Sequence, residues 1–311
     1  MNGLRIAFLF LVLVAQSAFS IEGDLADKFW KGHTISSAAK KKLLRNSIEP
    51  KKISLIIPCH YTHADQLHAL LRMYENQTRL PDEVVISLSI PQMVESELKQ
   101  NAFYGLEQEN WAFPVTLLIS DGRKYAGENR NIACSHASGD ILICQDADDV
   151  PHPQRIEIIG YFFEKYKIDH LMHEFMFVYE NTEKMIFPNY LNLDQIRFSN
   201  TKNFQAIYRY AYFTNGNPAI TRELFQLMQW PNTPRGQDTE YNQRVYSERH
   251  RCIAIGAVLY GYRKYLSSSL TLDSVSENLS FEYSNGTDIR TPQVKKLHTL
   301  QVIYLPPDQK N

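Results

Sequence analysis

The chain of 311 residues lacks an excess of charge of either sign and has only four cysteines. Its 33 Lys and Arg residues balance 34 Asp and Glu residues, for a formal net charge of −1. Such a balance gives no electrostatic footprint for nucleic acid, so we expect no nucleic-acid partner. The cysteines are widely spaced and form no Cys-x-x-Cys pair, which argues against a zinc site. We expect the four cysteines to be buried thiols, and the alternative is that one disulfide forms in an oxidising compartment.

Long apolar runs are also missing, apart from one at the N-terminus. Residues 1–20 combine Arg5, a ten-residue apolar run and a small-residue end at Ala18-Phe-Ser20. This pattern predicts a signal peptide that is cleaved before Ile21. The run is short for a membrane span, which needs about 20 apolar residues, but an uncleaved signal anchor remains an alternative. A membrane contact is expected only in that second case. The polar residues 21–50 are predicted to form a stem or an irregular lead-in.

Apolar runs and helical patterns alternate from residue 51 onward. Leu67, Leu70, Leu71 and Tyr74 repeat at helical spacing, after a Thr62-x-x-Asp65 capping box. Strand, helix, strand in alternation predicts an α/β fold with a mostly parallel sheet that is covered by helices on both faces. The predicted strands are Ile53–Pro58, Val84–Leu88, Val115–Ile119 and Ile141–Cys144, and the predicted helices include Pro91–Leu106 and Ala126–Ser138.

A cluster of acidic residues follows the fourth predicted strand. Asp146, Asp148 and Asp149 come directly after the apolar run Ile141–Cys144. The carboxyl edge of an open α/β sheet is where ligands bind, and clustered carboxylates favour a cation. Mg²⁺ and Mn²⁺ prefer such oxygen ligands. A solvated turn, which Asp also favours, is the alternative.

Six motifs in order make the chain similar to glycosyltransferase family 2, whose members are nucleotide-sugar transferases of GT-A fold. The resemblance covers about residues 53–271 and implies a GT-A domain at residues 51–271 with a C-terminal extension at 272–311. The motifs are the strand ending at Pro58, the Ala126–Ala133 helix with Arg130, the Asp140–Asp149 segment, Gly216–Arg222, Gly236–Arg244, and Leu259–Arg263 followed by Ser267–Thr271.

The resemblance implies a metal-dependent, inverting transfer of a sugar from a nucleotide-sugar donor, with a UDP-sugar expected. Asp148 would ligate Mn²⁺ or Mg²⁺ directly, and Asp146 would act with it or through water or the ribose. Arg130 could add charge-assisted bonds to the diphosphate. The expected donor-binding residues are Pro58, Asp121, Arg130 and Asp146.

Asp238 is the candidate general base, because it lies where a helix is predicted to begin and a helix N-terminus favours the charged carboxylate. Gln237 replaces the acidic neighbour that is usual in the family, and Glu240 is a substitute base. The expected acceptor-side residues are Gly216, Asn217, Trp230 and Glu240. The acceptor itself could be a glycan, a lipid or a protein.

Two departures keep another function open. Ser87-Leu-Ser89 stands where the family often has an Asp that reads the nucleotide base, and Gln237 removes a charge beside Asp238. A catalytically silent module that binds carbohydrate or protein is therefore the alternative. A nucleotidyltransferase is disfavoured, because no glycine-rich phosphate loop follows the first strand. A leader on a nucleotide-sugar enzyme predicts the endoplasmic reticulum or Golgi lumen, or secretion.

Three tyrosines and two histidines allow weaker predictions. Tyr208, Tyr210 and Tyr212 alternate as on a strand face. His170 and His173 have a helical metal spacing without a third ligand, so a strand or pocket wall is the favoured interpretation. Residues 175–203 depart from the family pattern and are interpreted as an insertion on the acceptor side.

Overall fold

A central β-sheet organises this computed structural model, which describes residues 26–90, 103–179, 184–188, 190–210, 213, 216–264, 280–283 and 296–306. The strands are β1 (Ile53–His60), β2 (Glu83–Ile90), β3 (Asn110–Trp111), β4 (Val115–Asp121), β5 (Ile141–Cys144), β6 (Val150–Pro151), β7 (His170–Tyr179), β8 (Lys184–Phe187), β9 (Phe198–Ser199), β10 (Ala219–Thr221), β11 (Cys252–Lys264), β12 (Ser280–Tyr283) and β13 (His298–Tyr304). The helices are α1 (Ser37–Leu43), α2 (Leu67–Glu75), α3 (Phe103–Glu107), α4 (Ala126–His136), α5 (Arg155–Lys165), α6 (Phe204–Tyr210), α7 (Arg222–Leu227) and α8 (Gln237–Ser247).

The sheet is parallel on one side and mixed on the other. Its order is β3-β13-β4-β2-β1-β5-β10-β7-β11-β6, and β9 pairs with β11. Strands β4, β2, β1 and β5 pair in parallel with one another, whereas β10 runs antiparallel between β5 and β7. A separate pair is formed by β8 and β12. The predicted mostly parallel α/β sheet is confirmed, and all four predicted strands are present.

Helices cover both faces of the parallel region because its strands are apolar on both sides. Leu55 and Ile57 pack with α2 and α5, and Ile56 packs against α4 and α8. Successive side chains along a strand thus point alternately into two separate hydrophobic cores, one on each face of the sheet. This double burial explains why short apolar runs were sufficient to predict these strands.

Two segments that were predicted to lie outside the domain are part of it. Residues 26–33 and α1 are helical, and Phe29 and Trp30 are buried against the sheet. An irregular lead-in is therefore wrong for this stretch, since its aromatic side chains supply apolar area to the core. In the C-terminal extension, β13 enters the sheet as the parallel neighbour of β4. Its sequence is polar because β13 is only partly buried there, next to the short edge strand β3, so no apolar run marked it.

Two local predictions need correction. Tyr208 and Tyr210 lie in helix α6, not in a strand, because Phe204 and Ile207 are buried at helical spacing. Thr62 does not cap a helix; a 3₁₀ turn follows β1, with the His60 side chain accepting from the backbone N–H of Thr62. Tyr212 lies outside the described residues, as do residues 1–20, 91–102 and 267–271.

Other expectations hold where the structure tests them. All four cysteines are buried free thiols. His170 and His173 lie fully buried in strand β7, as favoured over a helix. Among the described residues, no helix combines the length and apolar character that a membrane crossing needs.

Candidate active site

A cleft of about 520 Å³ opens where the carboxyl ends of β1 and β5 meet. Strand β5 pairs in parallel with β1, and Cys144 lies opposite Ile56. The segments that follow both strands therefore reach the same edge of the sheet. Six of the predicted site residues line this one cleft: Pro58, Arg130, Asp146, Asp148, Gly216 and Asp238.

The acidic loop after β5 is held by a buried amide. Asn217 Oδ1 accepts from the backbone N–H of Asp146 at 2.6 Å, and Asn217 Nδ2 donates to Asp149 Oδ2 at 2.8 Å. Asp149 also accepts from the backbone N–H of Arg263 at 3.2 Å. Arg155, fully buried, donates to the carbonyls of Cys144 and Asn217. The loop is thus fixed from behind, and Asp149 has the structural role that its place before β6 allowed.

The three carboxylates repel one another. Burial raises the pKa of Asp148, His63 opposes that rise, and Asp146 adds to it. Burial also raises the pKa of Asp149 strongly, with further contributions from Asp148 and Asp146. Asp146 and Asp148 keep 28% and 24% of their side-chain surface exposed, so both reach the cleft. Hard oxygen donors that lie together and repel one another fit a divalent cation.

Arg130 lies under the acidic loop with spare hydrogen-bonding capacity. Its Nη2 donates to Asp146 Oδ1 at 2.5 Å, while the residue is only 2% exposed. Its Nε and Nη1 are buried and have no hydrogen-bond partner among the described residues. Gly216 lies against this pair, because a Cβ there would be 2.6 Å from Asp146 Oδ2. The ion pair and its guanidinium are therefore closely packed at the cleft wall.

Helix α4 carries Arg130 into place through Asn129. The Asn129 side chain accepts from Ser87 Oγ at 3.0 Å and donates to Ser89 Oγ at 3.3 Å. It also donates to the carbonyl of Cys59 at 3.4 Å. Ser87 and Ser89 are themselves buried. Where the family often has an Asp, this chain uses two serines to tie α4 to the strand ends.

Asp238 faces the cleft from the first turn of α8. The preceding Gly236 has a φ of +73°, which a glycine adopts without strain. Asp238 Oδ1 accepts from the backbone N–H of Thr239 at 2.7 Å, and Gln237 Oε1 accepts from the backbone N–H of Asp238 at 3.1 Å. The predicted helix start is confirmed within two residues. Gln237 lines the cleft too.

Four other predicted site residues do not line the described cleft. Asn217 is buried behind the acidic loop, and Trp230 is 2% exposed and stacks on Tyr241 at 4.1 Å. Glu240 is exposed on α8, and Asp121 is exposed at the end of β4. Asn217 and Trp230 thus support the site from the core rather than face an acceptor.

Sequence reasoning missed two groups of lining residues. The first is basic or imidazole-bearing, and the second is aromatic. The first group is His60, His63, Arg123 and Lys124, and the second is Tyr125, Phe175, Phe213, Tyr260 and Tyr262. His60 and His63 follow Pro58 closely, and Tyr260 and Tyr262 alternate within a predicted motif, so both signals were present in the sequence.

Three known proteins are similar to parts of this chain. An uncharacterized glycosyltransferase of Haemophilus influenzae is 29% identical over 105 residues, which are 34% of this chain and 32% of that protein. S. aureus TarS in complex with UDP is 16% identical. The match covers 68% of this chain and 60% of the TarS chain, with a TM-score of 0.47. The Pyrobaculum calidifontis mannosyltransferase PcManGT in complex with GDP-Man and Mn²⁺ is 14% identical. That match covers 80% of this chain and 68% of PcManGT, with a TM-score of 0.46.

The chain spans less than two thirds of the length of the first two of these proteins. The family model for glycosyl transferase family 2, in contrast, matches residues 54–226, more than half of the chain. This range includes the acidic loop, Arg130 and Gly216, and it ends before Asp238. The resemblance that the six motifs suggested is confirmed: the chain belongs to glycosyl transferase family 2.

Proposed function

We propose that the protein is a metal-dependent, inverting glycosyltransferase that moves a sugar from a nucleoside-diphosphate sugar to an acceptor hydroxyl. One observation carries this proposal: Asp146, Asp148, Arg130 and Asp238 line the same cleft. A sugar transfer needs neutralisation of the leaving diphosphate, removal of a proton from the acceptor and alignment of both reactants. The cleft offers a group for each of these needs.

On the donor side, Asp146 and Asp148 would hold Mn²⁺ or Mg²⁺. Among the described residues, no cluster of three or more His, Cys, Asp or Glu side chains is arranged to hold a metal ion. Two carboxylates with phosphate oxygens as further ligands match the usual way in which Mg²⁺ is bound. When bound, the cation supplies Lewis-acid stabilisation of the diphosphate. Within the donor class we propose a UDP-sugar.

Arg130 would bind the diphosphate with the N–H groups that lack a partner. A guanidinium that is buried and already oriented by Asp146 loses little entropy when it donates to an anion. Its N–H groups are costly to leave unpaired in the core. An oxyanion at this place would remove that cost, which supports a donor phosphate beside Asp146.

On the acceptor side, the Asp238 carboxylate would take the proton of the acceptor hydroxyl. The acceptor oxygen then forms its bond to the anomeric carbon while the bond from that carbon to the phosphate oxygen breaks. The nucleoside diphosphate leaves with the electron pair of that bond. A single displacement inverts the anomeric configuration. Asp238 lies in the first turn of α8 and lines the cleft, which is the position that a base needs to reach an acceptor hydroxyl.

The test measures thermal stability of the purified full-length chain against nucleoside diphosphates and nucleotide sugars, with and without Mn²⁺. A ligand at 100 times its Kd stabilises by about 2.7 kcal/mol, or roughly 4 °C for a chain of this length. We expect a metal-dependent shift with a uridine nucleotide that is lost in Asp148→Ala. Glu107→Ala, exposed on α3 and outside the described cleft, is the matched control and should keep the shift. No shift with any nucleotide would favour the catalytically silent binding module instead.

We also propose that the mature protein works in the endoplasmic reticulum or Golgi lumen, or is secreted. This rests on the leader pattern at residues 1–20 together with the need to meet a nucleotide sugar. Protease protection of a tagged chain in intact membranes tests it. A cytosolic, protease-sensitive chain would refute it.

A further inference from the structure

The two walls of the cleft differ in chemistry. One wall carries the charged groups that a diphosphate and a cation require, including Arg130, Asp146 and Asp148. The other wall, called the aromatic wall, is formed by Phe175 of β7, Tyr260 and Tyr262 of β11, and Phe213. Among the described lining residues, every large apolar side chain is aromatic, and no Leu, Ile, Val or Met is present. The charged wall suits the donor, so the aromatic wall is the part of the cleft that is available to the acceptor.

The aromatic wall is built in register on two paired strands. Phe175 lies opposite Tyr260, and Phe177 lies opposite Tyr262. The ring centroids of these two pairs are 5.4 and 5.9 Å apart. Tyr260 is buried, but Tyr262 keeps 43% of its surface exposed. The result is a packed aromatic layer with one tyrosine ring available to a ligand.

Tyr262 lines the same cleft as Asp146, Asp148 and Asp238. Burial raises its pKa, and four carboxylates add to that rise. They are Asp149, Asp148, Asp146 and Asp238. A ligand stacked on Tyr262 would therefore lie near both the metal-binding carboxylates and the proposed base.

The wall is supported by residues that precede the family match. Phe213 forms a β-bridge with Glu174, and its ring packs edge-on against Phe29 at 5.3 Å and Trp30 at 5.8 Å. Trp30 Nε1 donates to Glu174 Oε1 at 2.7 Å. Because both sides of this contact are buried, Phe213 is held in a fixed place. The wall is thus preorganised before a ligand arrives.

We propose that this aromatic wall is an acceptor subsite that takes the pyranose ring of a carbohydrate. The proposal rests on the function proposed above and narrows its acceptor from glycan, lipid or protein to glycan. The apolar C–H face of a sugar ring packs on an aromatic face, while its hydroxyls keep polar partners. A lipid chain would call for aliphatic lining, which the described wall lacks. The acceptor hydroxyl would then point from Tyr262 toward Asp238.

The test measures binding of a panel of mono- and oligosaccharides by saturation-transfer NMR, in the presence of Mn²⁺ and UDP. We expect Tyr262→Ala to weaken saccharide binding about tenfold, whereas Tyr262→Phe, which keeps the ring, stays within about twofold. Tyr208→Ala is the matched control, since Tyr208 is 55% exposed on α6 and outside the cleft. It should bind saccharides as the wild type does.

A thermal-shift titration of UDP with Mn²⁺ separates this inference from the donor proposal. Saccharide binding that depends on Tyr262 supports the inference even if UDP gives no shift, in which case the donor proposal fails alone. A UDP shift without saccharide binding refutes the inference alone. Binding of polyprenyl phosphate or a Ser/Thr peptide in place of every saccharide also refutes it, as does wild-type saccharide affinity in Tyr262→Ala.

Discussion

Replacement of Gly216 by alanine is expected to damage the donor site while the fold survives. The added Cβ would lie 2.6 Å from Asp146 Oδ2 and 3.2 Å from Arg130 Nη2. Ordinary contact begins near 3.4 Å, so the carboxylate oxygen must move by about 0.8 Å. It cannot move freely, because Arg130 holds Oδ1 and Asn217 holds the backbone N–H of Asp146.

The size of the effect follows from that displacement. Oδ2 is the Asp146 oxygen that Arg130 leaves available to a cation. A displacement of about 1 Å in a positioned group typically costs about 10²-fold in rate. We therefore expect kcat/KM to fall about 100-fold, which corresponds to about 2.7 kcal/mol of transition-state stabilisation. The loss of folding stability should be about 1–2 kcal/mol, since one added methyl group in a closely packed site typically costs this much.

The assay compares Gly216→Ala with Gly105→Ala. Gly105 lies in helix α3, and among the described residues no atom outside its own helical turn lies within 4 Å of a Cβ built there. The Gly105→Ala variant should keep the metal-dependent nucleotide shift and the activity of the wild type. Each variant is measured for its melting temperature, its metal-dependent UDP shift and its rate of sugar transfer. Gly216→Ala with wild-type UDP affinity and rate would show that close packing at Asp146 does not matter for the donor.

Three further changes test other parts of the fold and site. Asn217→Ala leaves the buried Asp149 carboxylate without its amide donor, and urea unfolding should show a loss of about 2–3 kcal/mol. Asp238→Asn should lower kcat about 10³-fold and keep the UDP shift, whereas Glu240→Gln should leave kcat unchanged; equal losses in both would refute Asp238 as the base. Burial lowers the pKa of His170 from 6.5 to about 4, so the unfolded chain binds the extra proton between these values. Stability should therefore fall by about 3 kcal/mol from this group as pH drops from 6.5 to 4, and urea unfolding of His170→Asn should show a shallower pH dependence.

The central strands and one wall of the cleft could be predicted from the sequence because their signals are local. Strand β5 is apolar on both faces, and its end at Cys144 is followed at once by acids. Asp146 and Asp148 must then lie at the carboxyl edge of the sheet, whatever the rest of the chain does. Arg130 and Asp238 were placed by motifs, and the structure brings both to this edge.

The remaining features depend on contacts between distant residues. Trp30 donates to Glu174, 144 positions away, and no local pattern predicts that contact. Strand β13 gains its place beside β4 by pairing across most of the chain. Tyr208 and Tyr210 follow period 2 by coincidence, whereas the burial of Phe204 and Ile207 sets the helical period. Tertiary burial decided each of these cases over local sequence preference.

The walls of the cleft also differ in where they come from along the chain. The charged wall lies within residues 54–226, which match the family model. In the aromatic wall, Phe175 and Phe213 also lie within that range, whereas Tyr260 and Tyr262 follow it, as Asp238 does. Phe29 and Trp30, which support Phe213, precede it. Family membership therefore supports the role of the charged wall in donor binding. The role of the aromatic wall in acceptor binding rests on the packing of this chain. For this reason Asp148 and Tyr262 are the two positions whose variants separate donor binding from acceptor choice.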